Sequence, residues 1–304
     1  MIDVNSQFAL SLIILLLGYA LKRSRVVTEA DGKVLAAIIF YITLPATILT
    51  SLDSLELDVM MLAMPLFSLG YSAVMYLVAW FSFSREDESS RGLMTVSCLG
   101  FNIGNFAFPL MRGIYGDEGM GYTAMFDFGN VFVIFVLNYV LSIRHSPREG
   151  IKMDAKSIFK KVFSAPAIYC YIISIVLNAS DFQFTGFTAS VLETISRANH
   201  LIVYLTLGIF LNISLDSTRW KRILKVLALR YGIGIMTGIL MHAFLPWDLL
   251  PRTILLIAFI LPIGMANVVY MITYGYDEKL GGTLINLTNL ISFFLMWILL
   301  LLFS

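Results

Sequence analysis

Four residues in one apolar segment are of types that can break a membrane helix and bind a ligand. Asn102, Gly104, Asn105 and Pro109 lie within a stretch of eight residues. Each asparagine amide can donate and accept hydrogen bonds. Proline removes a backbone donor and clashes with the preceding turn, so the helix is expected to break here, and in hydrocarbon the freed groups need partners. Transporters bind substrate at such breaks; the alternative is a tolerated kink whose amides bond only neighbouring helices.

A second apolar segment, LPIGMANVVY, carries the same residue types at Pro262, Gly264 and Asn267. Two broken helices expose half-helix N-termini, whose free N–H groups and positive dipole ends hold a carboxylate without a lysine. The same groups also suit a neutral polar solute, or a sodium ion held by carbonyls. We therefore predict a substrate site formed by seven residues: Asn102, Gly104, Asn105, Pro109, Pro262, Gly264 and Asn267.

One carboxylate, Asp127, lies about two turns inside an apolar segment, where an ionisable group is costly and a functional role is the first hypothesis. It would carry a coupling proton if burial favours its neutral form, or it would ligate a cation. The alternative is a structural acid that bonds Asn130 or the broken helix. Five further residues are expected to support the crossing or the coupling ion: Asn130, Asn286, Asn289, Thr43 and Pro45.

These residues belong to a chain that is apolar along its whole length. It has 304 residues, of which 59% are hydrophobic and 13% charged, with a mean hydropathy of +0.84. Apolar runs of about 18 residues or more recur, which indicates a polytopic helical protein in a lipid bilayer. The net charge of +1 gives no sign of a nucleic-acid partner. We predict ten spans, at about 7–22, 34–52, 59–83, 92–113, 121–143, 158–178, 198–215, 223–245, 252–274 and 281–303, with a short interfacial helix within about 179–197.

The basic residues predict the orientation of these spans. Seventeen of the 21 lysines and arginines fall in odd-numbered loops and three in even-numbered ones. The protein is expected in the cell membrane. Because basic loops stay in the cytoplasm, both of its termini are expected on the outer side of that membrane. The remaining one, Arg230, lies within the eighth span and is expected to extend its charge to the cytoplasmic surface.

An internal repeat divides the chain. At an offset of 159 residues, IYGDEGMGYTAMFDFGN matches TYGYDEKLGGTLINLTN without a gap, which places Asp127 on Asn286 and Asn130 on Asn289. Five spans separate the copies, so the second copy is inverted in the membrane. We predict a first five-helix repeat at 1–143, a basic cytoplasmic loop at 144–157, and a second, inverted repeat at 158–304.

The motifs LPATIL, GFNIGNFAFPL followed by YGDEG, FDFGN and LGIFLNISL occur in this order along the chain. In motif order and spacing the chain resembles the auxin efflux carrier family, in its short prokaryotic form, over essentially its whole length. The resemblance implies an all-α membrane protein of ten helices, whose fourth and ninth helices are broken and cross at the midplane. It also implies export or exchange of organic anions. The stretch LPIGMAN departs from the small residue and serine that the family often shows near this proline.

We therefore predict a secondary active transporter that moves a small organic anion, a mono- or dicarboxylate, by alternating access. The spans lack HExxH, GxSxG and paired-aspartate patterns, so no enzyme is expected. No cofactor or metal is expected, apart from a coupling proton or sodium ion. The oligomeric state that we consider is a homodimer. The alternatives are a sodium-coupled bile-acid-type symporter and a ligand sensor on the same fold that does not transport.

Overall fold

The structure, a computed structural model, describes residues 3–53, 55, 57–148, 150, 165–212 and 219–303, and these residues form helices and no strands. Most of the predicted basic loop 144–157, the start of the sixth span (158–164) and the end of the seventh (213–215) lie outside the described residues. The helices up to Arg144 are α1 (Val4–Arg23), α2 (Glu29–Ile38), the π-helix π1 (Ile39–Thr43), α3 (Leu44–Ser51), α4 (Val59–Ser82), α5 (Glu88–Cys98), π2 (Ile103–Ala107), α6 (Phe108–Phe132), π3 (Val133–Asn138) and α7 (Tyr139–Arg144). The later helices are α8 (Pro166–Ala179), α9 (Gly186–Phe210), α10 (Trp220–Phe244), α11 (Leu249–Ala258), α12 (Ala266–Tyr274) and α13 (Glu278–Phe303).

Several of these helices are suited to cross a bilayer by length and composition. Six segments of the described chain qualify: Val4–Arg23, Glu29–Ser51, Val59–Ser82, Ile103–Arg144, Trp220–Phe244 and Glu278–Phe303. The helices Pro166–Ala179 and Leu249–Ala258 are apolar but shorter. The protein is thus an all-helical, multi-pass membrane protein, while ten spans in two inverted repeats remain a prediction.

The fourth predicted span is interrupted, but earlier than its proline. Helix α5 ends at Cys98, Leu99 is extended (φ −104°, ψ 151°), and Gly100 has a φ of +68°, which favours glycine. The chain becomes helical again at π2, and Pro109 is the second residue of α6. The wider π-turn before it lets the helix pass a residue that has no N–H, so the prediction that Pro109 marks the break is wrong.

Pro45 shows the same arrangement in the second span. It is the second residue of α3, which follows π1, and the helical segment Glu29–Ser51 is continuous through it. The helix therefore widens by a π-turn before Pro45 and does not break there. The same helical segment begins at a capping box before α2. The Thr28 hydroxyl accepts from the Asp31 N–H, and the Asp31 carboxylate accepts from the Thr28 N–H.

Two predicted connections are helical in the structure. Residues 186–197, where a separate interfacial helix was expected, form the first turns of α9. Residues 114–120, expected to be a loop, lie within α6, which is interrupted only at Gly116 (φ 67°, ψ −153°). Apolar patterns mark the part of a helix that faces lipid or protein, and they say less about where the helix ends.

The helices form two compact units. The first comprises Met1–Leu62, Ile103–Met125 and Ala165–Leu211. The second comprises Ala63–Asn102, Phe126–Ser164 and Asn212–Ser304. Each unit therefore draws on both halves of the sequence.

The first unit is built on a close contact between α1 and α9. A side chain at Gly18 would overlap the backbone of Leu205, and one at Gly208 would overlap the backbone of Leu15. Small residues let two membrane helices approach to backbone contact, where packing rather than the hydrophobic effect holds them together.

The second unit has an ionic cluster where α10 meets the segment before α5. Lys225 Nζ lies 2.6 Å from Glu86 Oε1, and Arg222 Nε lies 2.9 Å from Glu86 Oε2. The hydrogen bond from Lys225 holds the pKa of Glu86 below its ordinary value. The charge of Lys225, near the start of α10, is therefore balanced by a carboxylate. Arg230, further along the same helix, forms no such ion pair within the described residues.

Candidate functional site

The two helix breaks predicted from the sequence meet in the second unit. The first is the extended stretch between α5 and π2, which ends at Asn102, and the second lies between Ala258 and Ala266. The backbone N–H of Asn102 donates to the carbonyl oxygen of Pro262 at 2.9 Å. This bond joins the two breaks, and we call the point where they meet the crossing.

Arg230 lies at the same point, although it was expected to reach the cytoplasmic surface. Its side chain is 0% exposed. Its Nη2 donates to the carbonyl oxygens of Gly100 (2.9 Å), Leu261 (2.7 Å) and Pro262 (3.1 Å). Its Nη1 donates to Ser97 O at 3.2 Å. The guanidinium thus bonds to both breaks.

A helix break explains why an arginine is stable at this depth. The last turn of a helix and the chain beyond it leave carbonyl oxygens without intrahelical partners, which is costly in hydrocarbon. Guanidinium has five N–H donors in a rigid fork and suits several carbonyls at once. The ring of Phe101, whose centroid is 4.9 Å from Arg230 Cζ, covers one face of the cation. Sequence reasoning missed this role because snorkelling is the usual fate of an arginine near a helix end.

Asn130 holds the first break from α6. Its Oδ1 accepts from the Phe101 N–H at 2.8 Å, and its Nδ2 donates to Phe101 O at 2.9 Å. Nδ2 also donates to Asp127 Oδ1 at 2.8 Å. Both asparagine and aspartate are buried, at 0% and 6% exposure. Asn130 therefore bonds both backbone polar groups of Phe101 and connects Asp127 to the crossing, while its supporting role stays a prediction.

Asn267 and Asn138 bond each other and the backbone at the first break. The sequence analysis did not single out Asn138. Asn138 Nδ2 donates to Leu99 O (3.2 Å) and to Asn267 Oδ1 (3.0 Å), and Asn267 Nδ2 donates to Val96 O (3.2 Å). Both polar side-chain atoms of Asn267 are thus engaged with protein groups. An amide within the apolar fifth span was a signal that could have identified Asn138.

The second break is held by α13. Thr288 Oγ1 accepts from the Ile263 N–H at 3.3 Å, and Ser292 Oγ donates to Ile260 O at 2.6 Å. Gly264 lies against the first break: a Cβ at this position would be 3.1 Å from Ile134 Cδ1 and 3.5 Å from Phe101 O. An added Cβ would crowd the end of the Ile134 side chain and would be in ordinary van der Waals contact with the Phe101 carbonyl.

The crossing leaves one buried amide donor without an acceptor. Asn102 is 4% exposed, and its Nδ2 has no hydrogen-bond partner among the described residues. Its backbone N–H, in contrast, is used by Pro262. A donor at the crossing is thus free for another molecule.

The remaining supporting residues of the second unit lie on α13. Asn286 Nδ2 donates to Gly282 O on its own helix, at 3.0 Å, and Asn286 Oδ1 accepts from the Asn212 N–H at 3.4 Å. Asn289 Oδ1 is buried and unbonded in the part of the chain that the structure describes. Neither residue bonds the broken segments in the described ranges, and a role in coupling remains a prediction for both.

The first unit contains the other predicted residues. Gly104 faces Leu44, whose Cδ1 would be 2.7 Å from an added Cβ, and Asn105 Oδ1 is buried without a partner within the described ranges. Pro109 and Pro45 are each the second residue of their helix, α6 and α3, and Thr43 is the last residue of π1. The seven predicted substrate residues are therefore divided: Asn102, Pro262, Gly264 and Asn267 in the second unit, and Gly104, Asn105 and Pro109 in the first.

A row of polar residues joins α3 and α9 in the first unit. Thr43 Oγ1 donates to Asn199 Oδ1 at 2.7 Å, and Ser196 Oγ donates to Thr47 Oγ1 at 3.3 Å. Arg112 Nη1 donates to Ser196 Oγ at 2.6 Å. Thr43 thus bonds the buried amide of Asn199. The sequence analysis did not identify Asn199.

Comparison with known proteins places these features in a family. A family model described as "Membrane transport protein" matches residues 6–300. The chain is 27% identical, over 308 residues, to an uncharacterized transporter of Methanocaldococcus jannaschii. The aligned region covers 95% of this chain and 96% of that one. The chain is 25% identical over 205 residues to an uncharacterized transporter of Methanothermobacter thermautotrophicus, with 66% of each chain covered.

Proposed function

Because the chain belongs to the membrane transport protein family, the auxin efflux carriers that its motifs resemble, we propose that it moves a small organic anion across the cell membrane by alternating access. Transport across a membrane is what the family and both archaeal relatives have in common. The proposed substrate is a mono- or dicarboxylate, and its proposed site is the crossing of the two helix breaks in the second unit.

The buried, unbonded Nδ2 of Asn102 is the observation that carries this proposal. A buried donor without an acceptor costs about 1–3 kcal/mol, so a ligand that brings an acceptor oxygen is favoured there. A carboxylate is an acceptor only, and its bonds to N–H donors are charge-assisted. Asn267, whose side-chain atoms already bond Asn138 and Val96, is assigned to holding the site open rather than to contacting substrate.

Thermal unfolding of the purified protein with a panel of mono- and dicarboxylates tests the proposal. A ligand that binds the folded state raises the apparent melting temperature by mass action. The ligand that responds is then tested for exchange in proteoliposomes. Binding with exchange supports a carrier, whereas binding without any exchange would identify a sensor. A folded sample that responds to no carboxylate would contradict the proposed substrate class.

Asn102→Ala is expected to weaken carboxylate binding about 10- to 100-fold, because one charge-assisted hydrogen bond contributes about 1.5–3 kcal/mol. The crossing itself should survive, since its bond to Pro262 comes from the backbone N–H that alanine retains. The apparent melting temperature without ligand should therefore stay close to that of the wild type. Asn212→Ala, at an exposed amide of the same unit, is the matched control. Unchanged affinity in a folded Asn102→Ala protein would move the substrate site elsewhere.

Asp127→Asn is expected to abolish uptake driven by a pH gradient while exchange of substrate continues. The amide cannot lose or gain a proton, but it fits the same space beside Asn130. The measurement is uptake into proteoliposomes with and without an imposed pH gradient, alongside exchange at equal pH. Asp117→Asn, at an exposed carboxylate paired with Arg112, is the control. Gradient-driven uptake that persists in Asp127→Asn would remove Asp127 from proton coupling.

A further inference from the structure

The cation at the crossed breaks is bonded to neutral backbone groups. Arg230 is fully buried, and its recorded hydrogen bonds all go to neutral carbonyl oxygens. Within the described residues it forms no ion pair, whereas Lys225 on the same helix is paired with Glu86. A buried charge without a partner of opposite sign is strongly disfavoured. An anion at the crossing would supply the missing charge.

The acceptors of Arg230 are of the kind that bind a monovalent cation in other carriers. In transporters with broken helices, unwound backbone carbonyls coordinate the coupling sodium ion. Here Gly100 O, Leu261 O and Pro262 O, from both breaks, lie 2.7–3.1 Å from one guanidinium nitrogen. The Arg230 guanidinium already lies within hydrogen-bond distance of these oxygens. A second cation bound to them would therefore be repelled by its positive charge.

We propose that Arg230 is a built-in cation of the substrate site: it takes the place of a coupling sodium ion at the crossed breaks, and its charge selects anionic substrates. The substrate-selecting part of this inference rests on the proposed function. Arg230 is a positioning residue, which orders the two breaks through their carbonyls and sets the charge of the site. Carboxylate binding is then independent of sodium.

Three variants separate charge from structure. Arg230→Lys keeps the charge with fewer donors, and Arg230→Gln removes the charge but keeps an amide donor. Lys225→Gln, the control, removes a charge from the paired cluster of the same helix. Affinities are measured for a carboxylate and for its neutral primary amide. In Arg230→Gln the ratio of carboxylate to amide affinity is expected to fall at least about tenfold, since the carboxylate loses the Coulomb attraction of a buried positive charge that the neutral amide does not have. Arg230→Lys and the control should retain most of the ratio.

An equal loss for both ligands in Arg230→Gln would show a purely structural role and overturn the proposal. So would an unchanged ratio in a folded variant.

The cation site is tested without any substrate, so that this part does not depend on the proposed function. Sodium or methylguanidinium is expected to raise the apparent melting temperature of Arg230→Gln, whose carbonyls have lost their cation, and to leave the wild type unchanged. A variant that neither ion stabilises would overturn the proposal. If Arg230→Gln does not fold, the wild type decides in two ways. A melting temperature that rises specifically with sodium, relative to choline, overturns the proposal, and one equal in both salts supports it. A wild type that binds neutral amides but no carboxylates would instead overturn the proposed function and the anion selection together.

Discussion

Asn130→Leu is expected to lower the free energy of unfolding by about 3 kcal/mol or more, because it leaves two buried backbone groups unbonded at about 1–3 kcal/mol each. These groups are the N–H and the carbonyl of Phe101, which lie in the extended stretch where no helix can satisfy them. Leucine has the same number of side-chain heavy atoms, branched at the same carbon, and offers neither a donor nor an acceptor. Asp127 also loses a hydrogen bond of 2.8 Å.

The apparent melting temperature in detergent, with yield of monodisperse protein as a second readout, measures this loss. Asn289, which an offset of 159 residues aligns with Asn130 in the sequence, provides a matched control. The Oδ1 of Asn289 is buried without a partner among the described residues, so Asn289→Leu should cost much less. Equal destabilisation by the two variants would contradict the role assigned to Asn130.

Gly208→Ala is expected to destabilise the first unit by about 1–3 kcal/mol or more, because overpacking a tight contact forces the backbone to shift. The added Cβ would overlap the carbonyl of Leu15 and approach the backbone nitrogen of Tyr19 at 2.8 Å. Backbone atoms of a helix cannot rotate aside as the end of a flexible side chain can. Helices α1 and α9 would therefore have to separate along this contact.

Gly232→Ala is the control for this change. Gly232 is also within a long apolar helix, α10, but a Cβ there would have no neighbour within 4 Å. Alanine is a better helix former than glycine, by about 1 kcal/mol, so this variant should melt at the same temperature as the wild type or higher. A Gly208→Ala protein that melts with the wild type would show that the contact between α1 and α9 is looser than the structure indicates.

The amides of the crossing illustrate how one residue type serves different purposes. Asn130, Asn138 and Asn267 bond the backbone of the broken segments, whereas Nδ2 of Asn102 remains without an acceptor. From sequence all four are amides in apolar surroundings. Their roles differ because each break presents backbone groups in particular directions, and only folding decides which amide lies against them.

The sequence was sufficient for the class of protein and for most of the helices. Length, hydropathy and motif order predicted a polytopic transporter, and the predicted first, third, eighth and tenth spans agree with α1, α4, α10 and α13 to within about three residues, since long apolar runs have few alternatives to a membrane helix. The pair of helix breaks was also predictable, because glycine, proline and asparagine are poor components of a lipid-facing helix.

Tertiary structure decided where the first break begins, how α5, α10 and α13 meet, and what Arg230 does. Pro109 was the strongest local signal, yet the helix ends at Cys98, because the carbonyls freed there are bound by residues far away in sequence. Arg230 could have extended to the surface on an isolated helix. It lies inside because the two breaks present several carbonyl oxygens together, and such a set of acceptors exists only after the helices have packed.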